Sequence, residues 1–109
     1  MLKESVVKSV KDFLDALSKR GVQPSFGIVF GSEATGKSHE WSDIDLIVVS
    51  PHFDGPPDRE NAFLLWRLAG RINSRIEPIP CGLKQWQEDD SSAVLDLARR
   101  EGVEVRFTG

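Results

Sequence analysis

Asp43 and Asp45 stand two positions apart in "SDIDLIVVS", residues 42–50, whose β-branched and apolar content reads as a strand. Residues i and i+2 of a strand point to one face, so the two carboxylates project together. Each charge raises the cost of ionising the other, and a divalent cation relieves that cost. Mg²⁺ takes oxygen ligands and keeps part of its coordination for water and substrate phosphates. Two such ions about 4 Å apart can clamp the attacking and leaving oxygens of an in-line phosphoryl displacement. Just upstream, "SFGIVF" (25–30) runs into Gly31 and Ser32. Gly31 permits close backbone approach, Ser32 offers a hydroxyl, and the N–H groups of the turn can receive phosphate oxygens. A phosphate turn beside a carboxylate pair is what nucleotidyl transfer from a triphosphate requires.

The elements that position these groups follow from the pattern. Strand 25–30, connection 31–41 and strand 42–50 form a long hairpin, which sets the end of the first strand beside the start of the second. Residues 51–74 contain a helix that Asp58 can cap, running to about Asn73, with Ala62, Leu65, Ala69 and Ile72 as its apolar face and Phe63 and Trp66 beside it. A connection of that length suits a parallel crossover to "RIEPIP" (75–80), a strand whose two prolines place it at an edge or keep it short. Parallel strands start at the same end of a sheet, so Glu77 joins Asp43 and Asp45. It is the candidate third metal ligand and the base for the acceptor hydroxyl. Glu104, on the last strand, is the reserve.

The connection itself, "GSEATGKS" (31–38), fits the G-x-x-x-x-G-K-[ST] loop of the P-loop nucleotide hydrolases. That loop must pass directly into a long helix whose first turn holds the Lys and Ser/Thr. Here only "HEW" separates Ser38 from a strand, too little for a helix of ordinary length. The P-loop reading is rejected on that context.

Around this centre, residues 3–20 carry Val6, Val10, Phe13 and Leu17 on one helical stripe, joined by Val7 and Leu14, and Gly21 stops the helix. "LKQWQE" makes a turn or two of helix. Asp90 or Ser91 caps a further helix through Glu101, Gly102 ends it, and "VEVRF" alternates as a last strand. The order α-β-β-α-β-α-β implies an α/β or α+β domain on a mixed sheet flanked by helices, spanning 1–109.

The stretch "FGSEATGKSHEWSDIDLIVVS" resembles the signature of the minimal nucleotidyltransferase domains of the DNA polymerase β superfamily. Gly31, Ser32, Gly36, Ser42, Asp43, Asp45 and Leu46 fill its positions, and the preceding helix and the later acidic strand extend the likeness over residues 3–80. The resemblance implies two-Mg²⁺ transfer of a nucleoside monophosphate, AMP the first expectation, from an NTP such as ATP to a hydroxyl of a protein or small molecule. Asp43, Asp45 and Glu77 would be the metal-binding and catalytic residues; Gly31, Ser32, Gly36, Lys37 and Ser42 would hold the nucleotide phosphates. Two departures stand out: Glu33 and Thr35 lie where many relatives carry Arg, leaving Lys37 to supply a triphosphate contact, and the third acid is Glu followed by proline where Asp is commoner. The alternative implied by the same resemblance is an antitoxin-like module that neutralises a helical, HEPN-type partner, with or without AMP transfer.

Composition bounds both readings. The 109 residues are 39% hydrophobic and 28% charged, with net charge −3, so no basic excess exists to grip nucleic acid. Arg99, Arg100 and Arg106 read as a solvated helix end. No run approaches a membrane span, and a lone cysteine, Cys81, forms no internal disulfide, so a cytoplasmic protein is expected. Cys81, Trp41, Trp66 and Trp86 are expected chiefly in the core, and His39 and His52 outside any metal site. With no second domain to hold an acceptor, a protein partner, a homodimer or a small acceptor completes the expectation.

Overall fold

Val6, Val10, Phe13, Leu14 and Leu17 recur at helical spacing, and the helix they form, α1 (Glu4–Lys19), buries all five. Each is worth about 1.5–3 kcal/mol once fully buried, which is what commits the segment to the sheet. The computed structural model describes residues 2–107. In it β1 (Phe26–Phe30) leads through a one-turn helix, α2 (Ser32–Thr35), to β2 (Ile44–Ser50). A 3₁₀ turn at Pro51–Phe53 and a loop precede α3 (Arg59–Ile72), whose first turn is capped by the Asp58 carboxylate accepting from Glu60 N at 2.9 Å. Then come β3 (Ile76–Gly82), α4 (Leu83–Glu88), α5 (Ala93–Glu101) and β4 (Val103–Arg106).

The sheet runs β3-β2-β1-β4. β1 pairs antiparallel with β2 and β4, and β2 pairs parallel with β3. The expected hairpin, crossover, edge placement of "RIEPIP" and mixed sheet are therefore all present. β2 is buried on both faces, which explains its unbroken apolar run. Ile44, Leu46 and Val48 join α1 and α3 in one core; Ile47 and Val49 face Leu95 and Ala98 of α5 in the other.

Several details depart from the sequence reading. α5 starts one residue late, with Ser92 accepting from Leu95 N at 3.2 Å, because Asp89 takes both the backbone N–H and the hydroxyl of Ser91 into a separate turn. α3 buries Leu65, Leu68 and Ala69, while Ile72 is partly exposed. Packing against α1 as well as the sheet turns Leu68 inward and leaves Phe63 and Trp66 on the open flank. Trp41 and Trp66 are thus surface residues, 78% and 56% exposed, contrary to their expected core role. Trp86 is half-buried, edge-on to Phe26 and beneath the Arg99 guanidinium. Cys81 is buried as expected, and burial pushes its thiol up to about 11.

Candidate active site

At the end of β1, Gly31 adopts φ 72° and ψ −149°, a backbone region open essentially to glycine alone. Its missing side chain has a second use: a Cβ there would overlap the Asp45 carboxylate. The turn and the acid therefore occupy adjoining space. α2 follows for one turn, with the Thr35 hydroxyl donating to Gly31 O at 3.2 Å, and Gly36 (φ 77°, left-handed) ends it. Lys37 N donates to Ser32 O at 3.1 Å, and the Lys37 side chain is exposed on the loop beyond. No helix follows Lys37 before β2, so the P-loop arrangement is absent here.

The second wall of the site is the entry to β2. His39 N donates to Ser42 Oγ at 2.8 Å and Ser42 N to His39 O at 3.0 Å, a small ring that ends the loop at Asp43. Asp43 is exposed just ahead of the strand. Asp45, half-buried, lies opposite Phe30 on β1 and alongside Glu77 on β3 in register. Asp45 and Glu77 are thus neighbours across the parallel pair. The reserve acid Glu104 is on the far edge strand, ion-paired to Arg106 at 3.0 Å, and takes no part.

Electrostatics agree with that placement. Partial burial, and then the Asp43 charge, hold Asp45 above the usual carboxylate range. Glu77 is raised by burial, by the charges of Asp43 and Asp45, and by a proton-sharing contact with Asp43. Asp45 and Glu77, which resist ionising, together with the carboxylate of Asp43, make an oxygen-only donor set whose charge a hard divalent cation would relieve. Among the described residues, no three His, Cys, Asp or Glu side chains already converge into an ion cage. Mg²⁺ does not demand one, because it usually completes its shell with water and substrate phosphates. The donor set fits that habit: Asp45 and Glu77 lie side by side in register, with Asp43 just ahead of the strand. A cleft of about 560 Å³ opens at the opposite end of β2 and β3 between Phe53, Pro57, Arg59 and Pro80. Its acid, Asp58, is committed to the α3 cap.

Two residues of this region escaped the sequence reading. Glu33 is buried, with its carboxylate paired to Arg75, and Arg75 Nε also donates to Ser42 O at 2.6 Å. Nothing local marks Glu33 as buried in "SEATG", and Arg75 lies far along the chain, so only the fold joins them. The basic residues at the far end, by contrast, are locally spent: Arg99 on Trp86 O, Arg100 on Asp96 and Arg106 on Glu104.

Comparison with known proteins places this geometry. The family description of the nucleotidyltransferase domain matches residues 8–90. The sequence finds no match among curated proteins. Among solved structures, a proposed nucleotidyltransferase from Sulfolobus solfataricus is 17% identical with a TM-score of 0.64, covering 92% of this chain and 78% of that one. A toxin–antitoxin structure with AMP-PNP is 22% identical at TM-score 0.59, over 94% of this chain and 73% of its own. A variant of the MntA-HpeT toxin–antitoxin is 22% identical at TM-score 0.59, over 99% and 75%. At these identities the structural likeness shows a shared fold. Since the family description spans most of the chain and meets the Gly-Ser turn and the D-x-D strand within it, this protein belongs to the nucleotidyltransferase domain family.

Proposed function

We propose that the protein transfers a nucleoside monophosphate, AMP first, from an NTP to a hydroxyl of a protein or small-molecule acceptor. The observation that carries this reading is the placement of Asp45 beside Glu77 in register, with the Asp45 carboxylate against the Gly31 turn and Asp43 just ahead of the strand. Asp43, Asp45 and Glu77 would hold two Mg²⁺ ions. Bound there, the ions would neutralise phosphate charge and orient attack. Gly31 and Ser32 present the backbone N–H groups at the start of α2, which have no acceptor within the helix, to the triphosphate. Gly36 shapes that turn and Lys37 reaches from the loop for the outer phosphates. Ser42, whose hydroxyl is engaged by His39 N, closes the loop around the nucleotide rather than leading the phosphate contacts. Glu77 takes the proton of the acceptor hydroxyl as the new ester bond forms and pyrophosphate leaves. The test is Mg²⁺-dependent transfer from α-labelled NTPs into host lysate with Asp45→Asn as control. Label that enters an acceptor only with the parent protein supports the reading; equal labelling by both assigns the chemistry elsewhere.

A second reading is an antitoxin-like module that binds a helical, HEPN-type partner. It is supported by the likeness to toxin–antitoxin structures and by Phe63 and Trp66, large aromatics 57% and 56% exposed on α3. Co-expression with the protein of the adjacent reading frame tests it: a stable complex that silences a toxic helical protein favours binding. A homodimer would be an alternative way to complete the surface. In both readings the net charge of −3 disfavours a nucleic-acid acceptor. No helix among the described residues is long and apolar enough to cross a membrane, and a cytoplasmic setting is part of the proposal.

A further inference from the structure

Glu33 is an expensive residue to keep where it is. Its side chain is 1% exposed, in a one-turn helix that contributes no other buried residue. Burying a carboxylate costs several kcal/mol, and a buried ion pair often recovers no more than well-packed apolar side chains would. The satisfaction is also incomplete: Oε2 meets the Arg75 guanidinium, while Oε1 has no hydrogen-bond partner and only Lys3 Nζ at 3.9 Å. Stability alone is a poor reason for such a pair. A fixed register is a better one.

What Arg75 touches identifies that register. One end of its fork holds Glu33, next to the Gly31–Ser32 turn. Its Nε donates to Ser42 O at 2.6 Å, one residue before Asp43. Its own carbonyl accepts Ile44 N at 2.7 Å, between Asp43 and Asp45, and Arg75 itself lies two residues before Glu77. A single residue thus ties together the three chain segments that carry the phosphate turn, the D-x-D pair and the third acid. None of its bonds goes to the three acids themselves, so it leaves their charge unneutralised for a cation.

We infer that Glu33 and Arg75 are positioning residues, a half-buried clamp that sets the spacing between the phosphate turn and the carboxylates. The inference rests on the nucleotidyl-transfer reading, because the spacing matters when one Mg²⁺-bound triphosphate must meet both sides. Lysine cannot replace this arginine: an ammonium lacks the planar fork that reaches Glu33 and Ser42 together.

The experiment compares the parent, Arg75→Lys and the double variant Glu33→Met/Arg75→Met. It reads Tm, the Mg²⁺-dependent part of the affinity for a non-hydrolysable ATP analogue, and the transfer rate. The double variant exchanges the pair for apolar side chains of similar length, which preserves folding where one substitution would strand a buried charge. Expected are a Tm at or near the parent's and Mg²⁺-dependent affinity and rate about 10–100-fold lower, as when groups behind a metal ligand are removed. Arg75→Lys should fall between. Parental affinity and rate in a folded double variant would overturn the inference and leave the transfer reading standing. Absence of Mg²⁺-dependent nucleotide binding by the parent would overturn both. A double variant that does not fold shifts the decision to Arg75→Lys, whose retained rate would equally overturn the clamp.

Discussion

Asp45 and Glu77 are carboxylates whose ionised forms the fold disfavours. Both have folded values above the ordinary carboxylate range, so the folded chain holds their protons more tightly than the unfolded chain. Their contribution to stability is therefore present below about pH 4 and is lost as pH rises through the raised values. A cation that favours the ionised forms reverses the loss. Thermal melts at pH 4 to 8 should show a Tm gain from Mg²⁺ that is near zero at the acid end and grows toward neutrality; a gain independent of pH would place the ion elsewhere. Removing a charge should act in the same sense. Asp45→Asn without metal at pH 7 is expected to raise Tm by roughly 2–5 °C, the scale of one relieved like-charge cross-strand pair, while Mg²⁺-dependent transfer falls at least about 100-fold. Circular dichroism and label transfer on the same sample would separate the two effects.

At the scale of elements, the site is a product of how β1 hands over to α2. Gly31→Ala forces a side chain into a glycine-only conformation and into the Asp45 carboxylate, so a loss of about 1–3 kcal/mol with collapse of Mg²⁺-dependent nucleotide binding is expected. Gly36 offers the contrast. It is left-handed at φ 77° with open space around it, a geometry asparagine also adopts. Gly36→Asn should stay within about 1 kcal/mol by urea denaturation and keep nucleotide binding. If both variants behaved alike, the contact between turn and acid would not matter. The two glycines look equivalent in "GSEATG"; the neighbouring strand makes them different.

For the whole molecule, the two faces of the sheet bear unequal demands. α1 and α3 seal one core around Leu46 and Val48, so Leu65→Ala on α3 should cost about 2–5 kcal/mol. Trp66→Ser, one residue on but outside that core, should change stability by no more than about 0.5 kcal/mol in chemical melts. Such a pair of results would confirm that α3 keeps large aromatics exposed for a reason other than folding. Periodicity specified α1, the β1–β2 hairpin and the crossover to β3, because a period of 2 or 3.6 and a connection length are local properties. A parallel β3 starts at the same end of the sheet as β2, and in the sheet Asp45 and Glu77 are indeed neighbours. Other features depend on what the fold brings together. Which side of α3 is buried depends on α1 as well as the sheet, so Leu68 enters the core and Trp66 stays out. Glu33 meets Arg75 across 42 residues of sequence because burial of a charge is settled by what the fold brings to it, and no spacing within "SEATG" carries that information.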